Sequence, residues 1–343
     1  MFEIDESAEQ GVIVRVIGVG TFGLRVVGNM AGRINNVECI GVVKKGSARP
    51  DNLSLVSLPL ISNQDHHDVA PLLELLGTPD LVFIVANLDV DDGLMKGICN
   101  ALSNVNIPTF LVIPESACIM ELKTGIVGLE RVEKVTLDGV MILSESSMEP
   151  PYPPSWNVQN ASSIQDNLFQ CAIRQIAELI TNNSMGMDYH DVMVTICGGL
   201  IQFGAGISSG KDRAQIAAEK ASACLLKQGV ELHMLTGCLI SVCGSSAIMK
   251  MDDYNAVNEF IHNQTNEECV IRIGVIHDDS LGDNLLVSFI AAHRPSEEEM
   301  FPPWVKLYDR YDRKRHSEQA VPDSNISDDD LEYEVPPWLR KTL

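Results

Sequence analysis

Short apolar runs alternate with amphipathic stretches along the first 145 residues of the chain. The apolar runs predict buried strands, and they occupy residues 12–18, 37–43, 81–86 and 107–113. The amphipathic stretches predict helices, one following the first strand through Met30 and others near 68–76 and 93–104. Strands that alternate with helices form a parallel sheet covered by helices, so we predict a doubly wound α/β domain.

A long helix is predicted after the proline-rich segment 149–156. From Leu168 to Ile180 apolar residues recur at helical spacing, which predicts a wide buried face. Ser163 with Asp166 three residues later is a typical capping pattern and gives the expected start. We interpret this segment as a helix between two domains.

The rest of the pattern predicts a smaller four-stranded α/β domain and a tail. The predicted strands occupy residues 192–197, 238–244, 270–276 and 285–292, and the predicted helices residues 212–227 and 254–263. The uncharged run 192–210 contains five glycines, so we interpret it as strand and loop rather than as a membrane span. Few aliphatic residues follow residue 294, which predicts disorder. The expected units are a domain at 11–163, a central helix at 164–183, a domain at 184–294 and a flexible tail at 295–343.

The charge balance limits the partners. The chain carries 47 acidic and 25 basic side chains, a net charge of −22, whereas nucleic acid and anionic membranes require a dense positive surface. Its nine cysteines show no CxxC or CxxH spacing, which indicates thiols in a reducing cytosol rather than a zinc site. The first ten residues lack the basic and apolar regions of a signal peptide. We therefore expect a cytoplasmic protein with no metal cluster, no nucleic-acid partner and no inserted membrane segment.

Gly18, Gly20 and Gly23 form a GxGxxG pattern between the first strand and the first helix. Glycines there let backbone N–H groups approach a phosphate, although a tight turn with no ligand uses the same residues. An acidic residue after the second strand would indicate NAD. Lys44 and Lys45 stand there instead, so NADP stays open.

Asp89, Asp91 and Asp92 follow the strand at 81–86 and are expected to line the same crevice as the glycine turn. Three carboxylates repel a triphosphate unless a divalent cation lies between them. The pocket is therefore either cation-dependent or without nucleotide, and a solvated acidic loop is the remaining alternative.

Two further motifs bear on partners and chemistry. Asp188 and Asp191, in the sequence MGMDYHDV, suit a capped turn better than catalysis when taken alone. Residues 301–306 and 335–340 repeat the pattern apolar-Pro-Pro-Trp-apolar-basic, 34 residues apart. Two such segments on a flexible tether would dock in an aromatic-lined groove with raised avidity, although the first copy would equally well pack on the core.

Four segments, in order and spacing, resemble the FtsZ and tubulin superfamily, and FtsZ in particular. Residues 204–221 (GAGISSGKDRAQIAAEKA) are similar to the FtsZ stretch that opens a helix of the C-terminal domain, and residues 166–180 to the central helix. Residues 185–192 resemble the loop that ends in two aspartates, and residues 15–30 the first nucleotide loop. The resemblance implies a GTPase-like domain, a central helix, a smaller domain and a flexible tail, which matches the units predicted above.

The resemblance also implies head-to-tail filaments, in which GTP lies on top of one subunit and the aspartate loop of the next completes the hydrolytic site. It assigns Asp188 and Asp191 to polarising the attacking water with the cation on the neighbour's nucleotide. It assigns guanine recognition to Glu178. The residues expected at the nucleotide are Gly18, Gly20, Thr21, Gly23, Arg25, Gly93 and Glu178.

The nucleotide loops depart from the family pattern. Thr21, Phe22 and Leu24 interrupt the glycine run, and Arg25 stands where asparagine is usual. The second phosphate loop corresponds to residues 87–93 (NLDVDDG), with one glycine and three acids. Because these side chains block backbone amides and add negative charge, we expect GTP or GDP, with Mg²⁺, to bind weakly or not at all. GTPase activity stays open.

The last residues, EYEVPPWLRKTL, resemble the terminal FtsZ peptide that binds membrane-tethering adaptors and division regulators. The expected partner-binding residues are Trp304, Pro336, Pro337, Trp338, Leu339 and Arg340. The leading hypothesis is a cytoskeletal protein at the bacterial division site that docks on conventional FtsZ, or on itself head-to-tail, and regulates or caps filaments. The alternatives are an active filament-forming GTPase with a cation-dependent pocket and an NADP-linked Rossmann enzyme.

Overall fold

Strands and helices alternate in the computed structural model, which describes residues 11–34, 36–43, 54–57, 68–87, 92–115, 137–156, 158–181, 187–197 and 199–293. The strands in this part of the chain are β1 (Val14–Val19), β2 (Val37–Val43), β3 (Ser54–Ser57), β4 (Leu81–Val85), β5 (Thr109–Pro114), β6 (Gly139–Leu143), β7 (Gly199–Ser209), β8 (Gly237–Gly244), β9 (Val270–His277) and β10 (Asn284–His293). The helices are α1 (Gly20–Met30), α2 (Ala70–Leu76), α3 (Asp92–Asn104), α4 (Ala161–Thr181), α5 (Tyr189–Ile196), α6 (Arg213–Lys227) and α7 (Met251–Gln264). The strands form one mixed sheet in the order β3-β2-β1-β4-β5-β6-β7-β10-β8-β9, and the predicted α/β fold class is confirmed.

The centre of the N-terminal sheet is β1, which lies between β2 and β4 and runs parallel to both. Val14, Val16, Ile17 and Val19 are fully buried, as a near-continuous apolar run predicts for a central parallel strand. Because β1, β4 and β5 run in the same direction, their carboxyl ends share one edge of the sheet. We call that edge the upper end, and the edge with their amino ends the lower end.

The strand predicted at residues 192–197 is wrong, because residues 192–196 belong to helix α5 and Cys197 is its C-cap. Asp188 caps the helix and forms a capping box with Asp191, which fixes a helical start directly before the apolar run. Val192 and Ile196, four residues apart, are buried on one side of the helix. The strand that we expected there begins only at Gly199.

The C-terminal strands form the predicted group of four, although β7 starts later than expected. β10 pairs antiparallel with both β7 and β8, and β8 pairs parallel with β9. Helix α6 packs directly on β7, and two glycines make this close approach feasible. A Cβ atom on Gly204 would lie 2.4 Å from the Ala221 carbonyl oxygen, and one on Gly206 would lie 2.2 Å from that of Ala217. The close packing of α6 on β7 therefore explains the glycines of residues 204–221, the segment that resembles FtsZ.

Helix α4 is the predicted central helix. The predicted start at Ser163 is wrong by a few residues, because Asn160 rather than Ser163 caps the helix. The Ser163 N–H donates to Asn160 Oδ1 at 2.9 Å, and the Asn160 N–H donates back to Ser163 Oγ at 3.1 Å. Asp166 is instead available for contacts with α1. The helix is buried along most of its length, including Phe169 and Ile176 at zero exposure.

Burial raises the pKa of the Cys99 and Cys171 thiols to about 12, so both stay protonated at neutral pH and are poor nucleophiles.

No helix in the described ranges is long and apolar enough to cross a membrane.

Candidate functional site

The glycine turn joins β1 to α1 at the upper end. Gly20 has φ of +72°, a conformation that a side chain disfavours. A Cβ atom on Gly18 would lie 2.5 Å from the Gly23 carbonyl oxygen, and one on Gly23 would lie 2.2 Å from that of Val85. Both glycines therefore let α1 lie closely against β1 and β4. The GxGxxG pattern is explained by this packing without a ligand.

Phe22 fills the side of the glycine turn that faces the central helix. Its ring packs edge-on against the ring of Phe169, with 5.3 Å between centroids. The guanidinium carbon of Arg25 lies 5.4 Å from the centre of the Phe22 ring, within range of a cation–π contact. An aromatic ring and a cation thus occupy the space between the turn and α4.

Two polar side chains of α4 near the turn, Asp166 and Gln165, contact side chains of α1. Asp166 accepts a hydrogen bond from Asn29 Nδ2 at 2.7 Å, and its second oxygen lies 3.2 Å from Arg25 Nη1. Arg25 Nη2 also donates to Gln165 Oε1 at 3.2 Å. Burial raises the pKa of Asp166, and Arg25 and Asn29 oppose that rise only in part. No pattern in the sequence indicates these contacts, because about 140 residues separate the partners along the chain.

The assignment of Glu178 to guanine recognition is corrected by its position. Glu178 lies twelve residues after Asp166, which is about 18 Å along a helix axis. Arg174 Nε donates to Glu178 Oε1 at 2.7 Å, and Arg174 Nη1 donates to Asp278 Oδ2 at 2.6 Å. Glu178 therefore faces the end of β9, and Asp166 is the carboxylate of α4 that lies beside α1.

The structure describes only some of the other residues that the sequence singles out. Thr21 is exposed in the first turn of α1, and Gly93 lies in the first turn of α3. Several predicted positions lie outside the described residues, namely Lys44, Lys45, Asp89, Asp91, Trp304 and residues 336–340. Within the described ranges, no group of three or more His, Cys, Asp or Glu side chains could hold a metal ion.

The aspartate pair lies at the start of α5. The Asp191 N–H donates to Asp188 Oδ1 at 2.8 Å, and Arg272 Nε donates to Asp191 Oδ1 at 2.9 Å. The hydrogen bond from Arg272 holds the pKa of Asp191 below its usual value. Asp188 is exposed and Asp191 is half-buried, so the pair is both structurally fixed and accessible from solvent.

The aspartates and the glycine turn lie at opposite ends of the N-terminal sheet. The Tyr189 hydroxyl donates to the Asp80 carbonyl oxygen at 2.8 Å, and Asp80 directly precedes β4. Burial raises the pKa of Tyr189 to about 12, so this donor keeps its proton across the physiological range. Helix α5 is thereby tied to the lower end, whereas the glycine turn is at the upper end. A single molecule cannot bring the two groups together.

Comparisons with known proteins identify relatives of the chain. Residues 199–293 match the profile of the FtsZ family, C-terminal domain. The chain is 25% identical over 314 residues to cell division protein FtsZ of Buchnera aphidicola, covering 85% of the chain and 81% of that protein. It is 22% identical to FtsZ of Azotobacter vinelandii over 392 residues, covering 99% of both.

Solved structures show the same fold at low identity. An empty FtsZ dimer of M. jannaschii matches with a TM-score of 0.66 at 19% identity, covering 83% of the chain and 89% of that structure. The GTPγS-bound protofilament of CetZ2 from Haloferax volcanii matches with a TM-score of 0.61 at 13% identity, covering 90% and 99%. The fold of the chain is therefore the fold of these FtsZ and CetZ2 structures. Over most of its length the chain is similar to FtsZ, and residues 199–293 match the C-terminal domain of that family.

Proposed function

We propose that this FtsZ-like protein acts in bacterial cell division or membrane constriction as a regulator or cap of conventional FtsZ filaments, with a degenerate GTP site. The observation that carries the proposal is the Phe22 ring, held between the glycine turn and Phe169 with Arg25 against its face. Phosphate binding at a helix start requires open backbone N–H groups. A ring and a guanidinium beside that start leave little room for a nucleotide, so GTP or GDP, with or without Mg²⁺, binds weakly or not at all.

In this proposal the aspartate pair at the lower end still contributes to GTP hydrolysis. Asp188 is exposed, and Asp191 is held as a carboxylate by Arg272. Placed on the GTP face of a conventional subunit, the two carboxylates would help to polarise a water with the cation on that nucleotide. One of the structural relatives is an FtsZ dimer and another is a CetZ2 protofilament, which supports an end-to-end contact.

The asymmetry between the ends makes the protein a cap rather than a building block. Its lower end docks on a conventional subunit, and its upper end offers the next subunit no bound nucleotide. The proposal retains the division into residues 11–163, 164–183, 184–294 and the tail 295–343. The terminal peptide 335–340 would bind a membrane-tethering adaptor and hold the cytoplasmic protein at the division site.

Mixing experiments with a conventional FtsZ test the proposal. Substoichiometric addition of the full chain is expected to lower the sedimented polymer mass and to change GTP turnover. Asp188→Asn keeps a side chain that caps a helix, so it is expected to dock yet to leave turnover unstimulated. No change in polymer mass or turnover on adding the wild-type chain would overturn the proposal.

The second candidate is an active, filament-forming GTPase with a cation-dependent pocket. The three acids of residues 87–93 favour it, because carboxylates beside a triphosphate require a divalent cation. Binding of labelled GTP with and without Mg²⁺ separates the two candidates, since only this one predicts tight binding that depends on Mg²⁺ and is lost on Asp91→Ala.

A further inference from the structure

A hollow of about 660 Å³ opens at the lower end, where the amino ends of β1, β4 and β5 lie side by side. Its apolar lining comes from Ile13, Leu73, Pro79, Val105 and Ile107. Val105 is 50% exposed, one of few large apolar side chains in the described ranges with so much surface in solvent. Thr78, Asp80 and Asn106 add polar surface to the lining. A hollow that combines apolar side chains with a few polar groups is a typical binding place for a peptide segment with apolar side chains.

The chain itself enters the fold at this hollow. Gly11, the first described residue, is part of its lining, so residues 1–10 are attached at its rim. Their sequence, MFEIDESAEQ, begins with apolar residues that alternate with acids. In an extended segment such alternation places Phe2 and Ile4 on one side and Glu3 on the other. Ile4 lies seven positions before Gly11, and seven Cα-to-Cα steps span at most about 25 Å, which is enough to turn back into the hollow.

We propose that residues 1–10 fold back onto their own chain and place Phe2 and Ile4 in this hollow. The short tether favours this occupant over a second molecule, because it holds the segment at an effective concentration in the millimolar range. The acids Glu3 and Asp5 remain on the solvent side. The segment thereby covers apolar surface that the lower end otherwise leaves in water.

Asp80 connects the hollow to helix α5, which Asp188 caps. The Ile13 N–H donates to Asp80 Oδ2 at 2.8 Å, and the Tyr189 hydroxyl donates to the Asp80 carbonyl oxygen at 2.8 Å. A seated segment therefore lies beside α5 and covers part of the lower end near Asp188. Its effect on docking to FtsZ rests on the proposed function, whereas the seating itself does not.

Hydrogen exchange on the full chain alone tests the seating, so its failure would leave the proposed function untouched. The double variant Phe2→Ser, Ile4→Ser is expected to speed amide exchange at residues 73–80 and 105–107 by about tenfold. The matched control Glu3→Ser, Glu6→Ser removes charges from the same segment and is expected to leave those rates unchanged. Equal rates in the double variant and the wild type would overturn the proposal.

Two further measurements distinguish an intramolecular contact from an indirect effect or a second molecule. Val105→Glu changes an exposed residue of the hollow and is expected to speed exchange at residues 73–80 as the double variant does, with no added effect when all three changes are combined. Additive effects would contradict a shared contact. Protection that disappears on about hundredfold dilution would assign the hollow to a second molecule and overturn the intramolecular proposal.

Discussion

The ring of Phe22 meets the ring of Phe169 edge-on, with 5.3 Å between centroids and 73° between ring planes. This contact joins the first turn of α1 to the central helix α4 at the upper end. Edge-to-face aromatic pairs contribute about 0.5–1.5 kcal/mol beyond the area that they bury. The residue that interrupts the glycine run is therefore part of the packing between two helices, and in the proposed function a nucleotide would have to displace it.

Removing this obstruction is expected to recover some nucleotide affinity. The double variant Phe22→Gly, Arg25→Asn restores a small residue and a neutral amide beside the turn. We expect GTP to bind it at least about tenfold more tightly than the wild type, because backbone N–H groups become accessible. Lys227→Ala, at an exposed position on α6, is the control and should not change binding. An affinity unchanged in the double variant would show that Phe22 and Arg25 are not what blocks the site.

The ion-pair cluster around Arg174 is expected to be important for stability. Arg174 is a quarter exposed and pairs with Glu178 and Asp278, whose side chains are 7% and 12% exposed. Arg174→Met leaves two carboxylates in a poorly solvated place and should lower the free energy of unfolding by about 3 kcal/mol. Lys227→Ala, which removes an exposed pair with Glu149, should cost at most about 1 kcal/mol. Urea denaturation measures both, and equal losses would contradict the role given to the cluster.

Two substitutions of Asp188 distinguish its role as a helix cap from the role of its negative charge. Asp188→Ala removes the acceptor of the Asp191 N–H and should lower the free energy of unfolding by about 0.5–2 kcal/mol. Asp188→Asn retains an oxygen that can cap the helix and should be nearly as stable as the wild type. Thermal unfolding of the two variants tests this. A large loss in the Asn variant would mean that the negative charge, rather than the cap, stabilises α5.

The pKa of Asp191 reports the ion pair with Arg272. Because the folded-state pKa is lowered, the pair stabilises the fold above the ordinary aspartate pKa, and this contribution is lost as pH falls through the lowered value. In Arg272→Ala the pKa of Asp191 should rise toward its ordinary value, 3.8. Titration by NMR of the side-chain carboxyl measures the shift. A pKa that stays equally low in the variant would assign the shift to the helix start instead of to Arg272.

The sequence predicted the sheet and the central helix because each depends on local periodicity. Apolar runs such as that of β1 are buried on both faces, and Leu168 to Ile180 form a helical stripe, so both patterns translate directly into elements. Periodicity alone failed at residues 192–197. A run of six mostly apolar residues suits a buried strand and a buried helix equally well, and the capping box of Asp188 and Asp191 decided for the helix.

The candidate site was less accessible to prediction because its contacts are distant in sequence. Arg272 lies 81 residues from Asp191, and no pattern in the sequence marks it as the partner. Glu178 and Asp166 both lie on α4, and only the position of α1 shows which of them is beside the glycine turn. The intrusion of Phe22 was visible in the sequence, whereas its contact with Phe169 required the fold.

We propose that the upper end does not bind GTP as the upper end of a conventional FtsZ subunit would. Equilibrium binding of labelled GTP to the full chain, with and without Mg²⁺, tests it most directly. If the upper end does not bind GTP tightly, saturation requires GTP above about 1 mM in both conditions. Mg²⁺-dependent binding with a Kd below about 1 μM, abolished by Asp91→Ala, would contradict it.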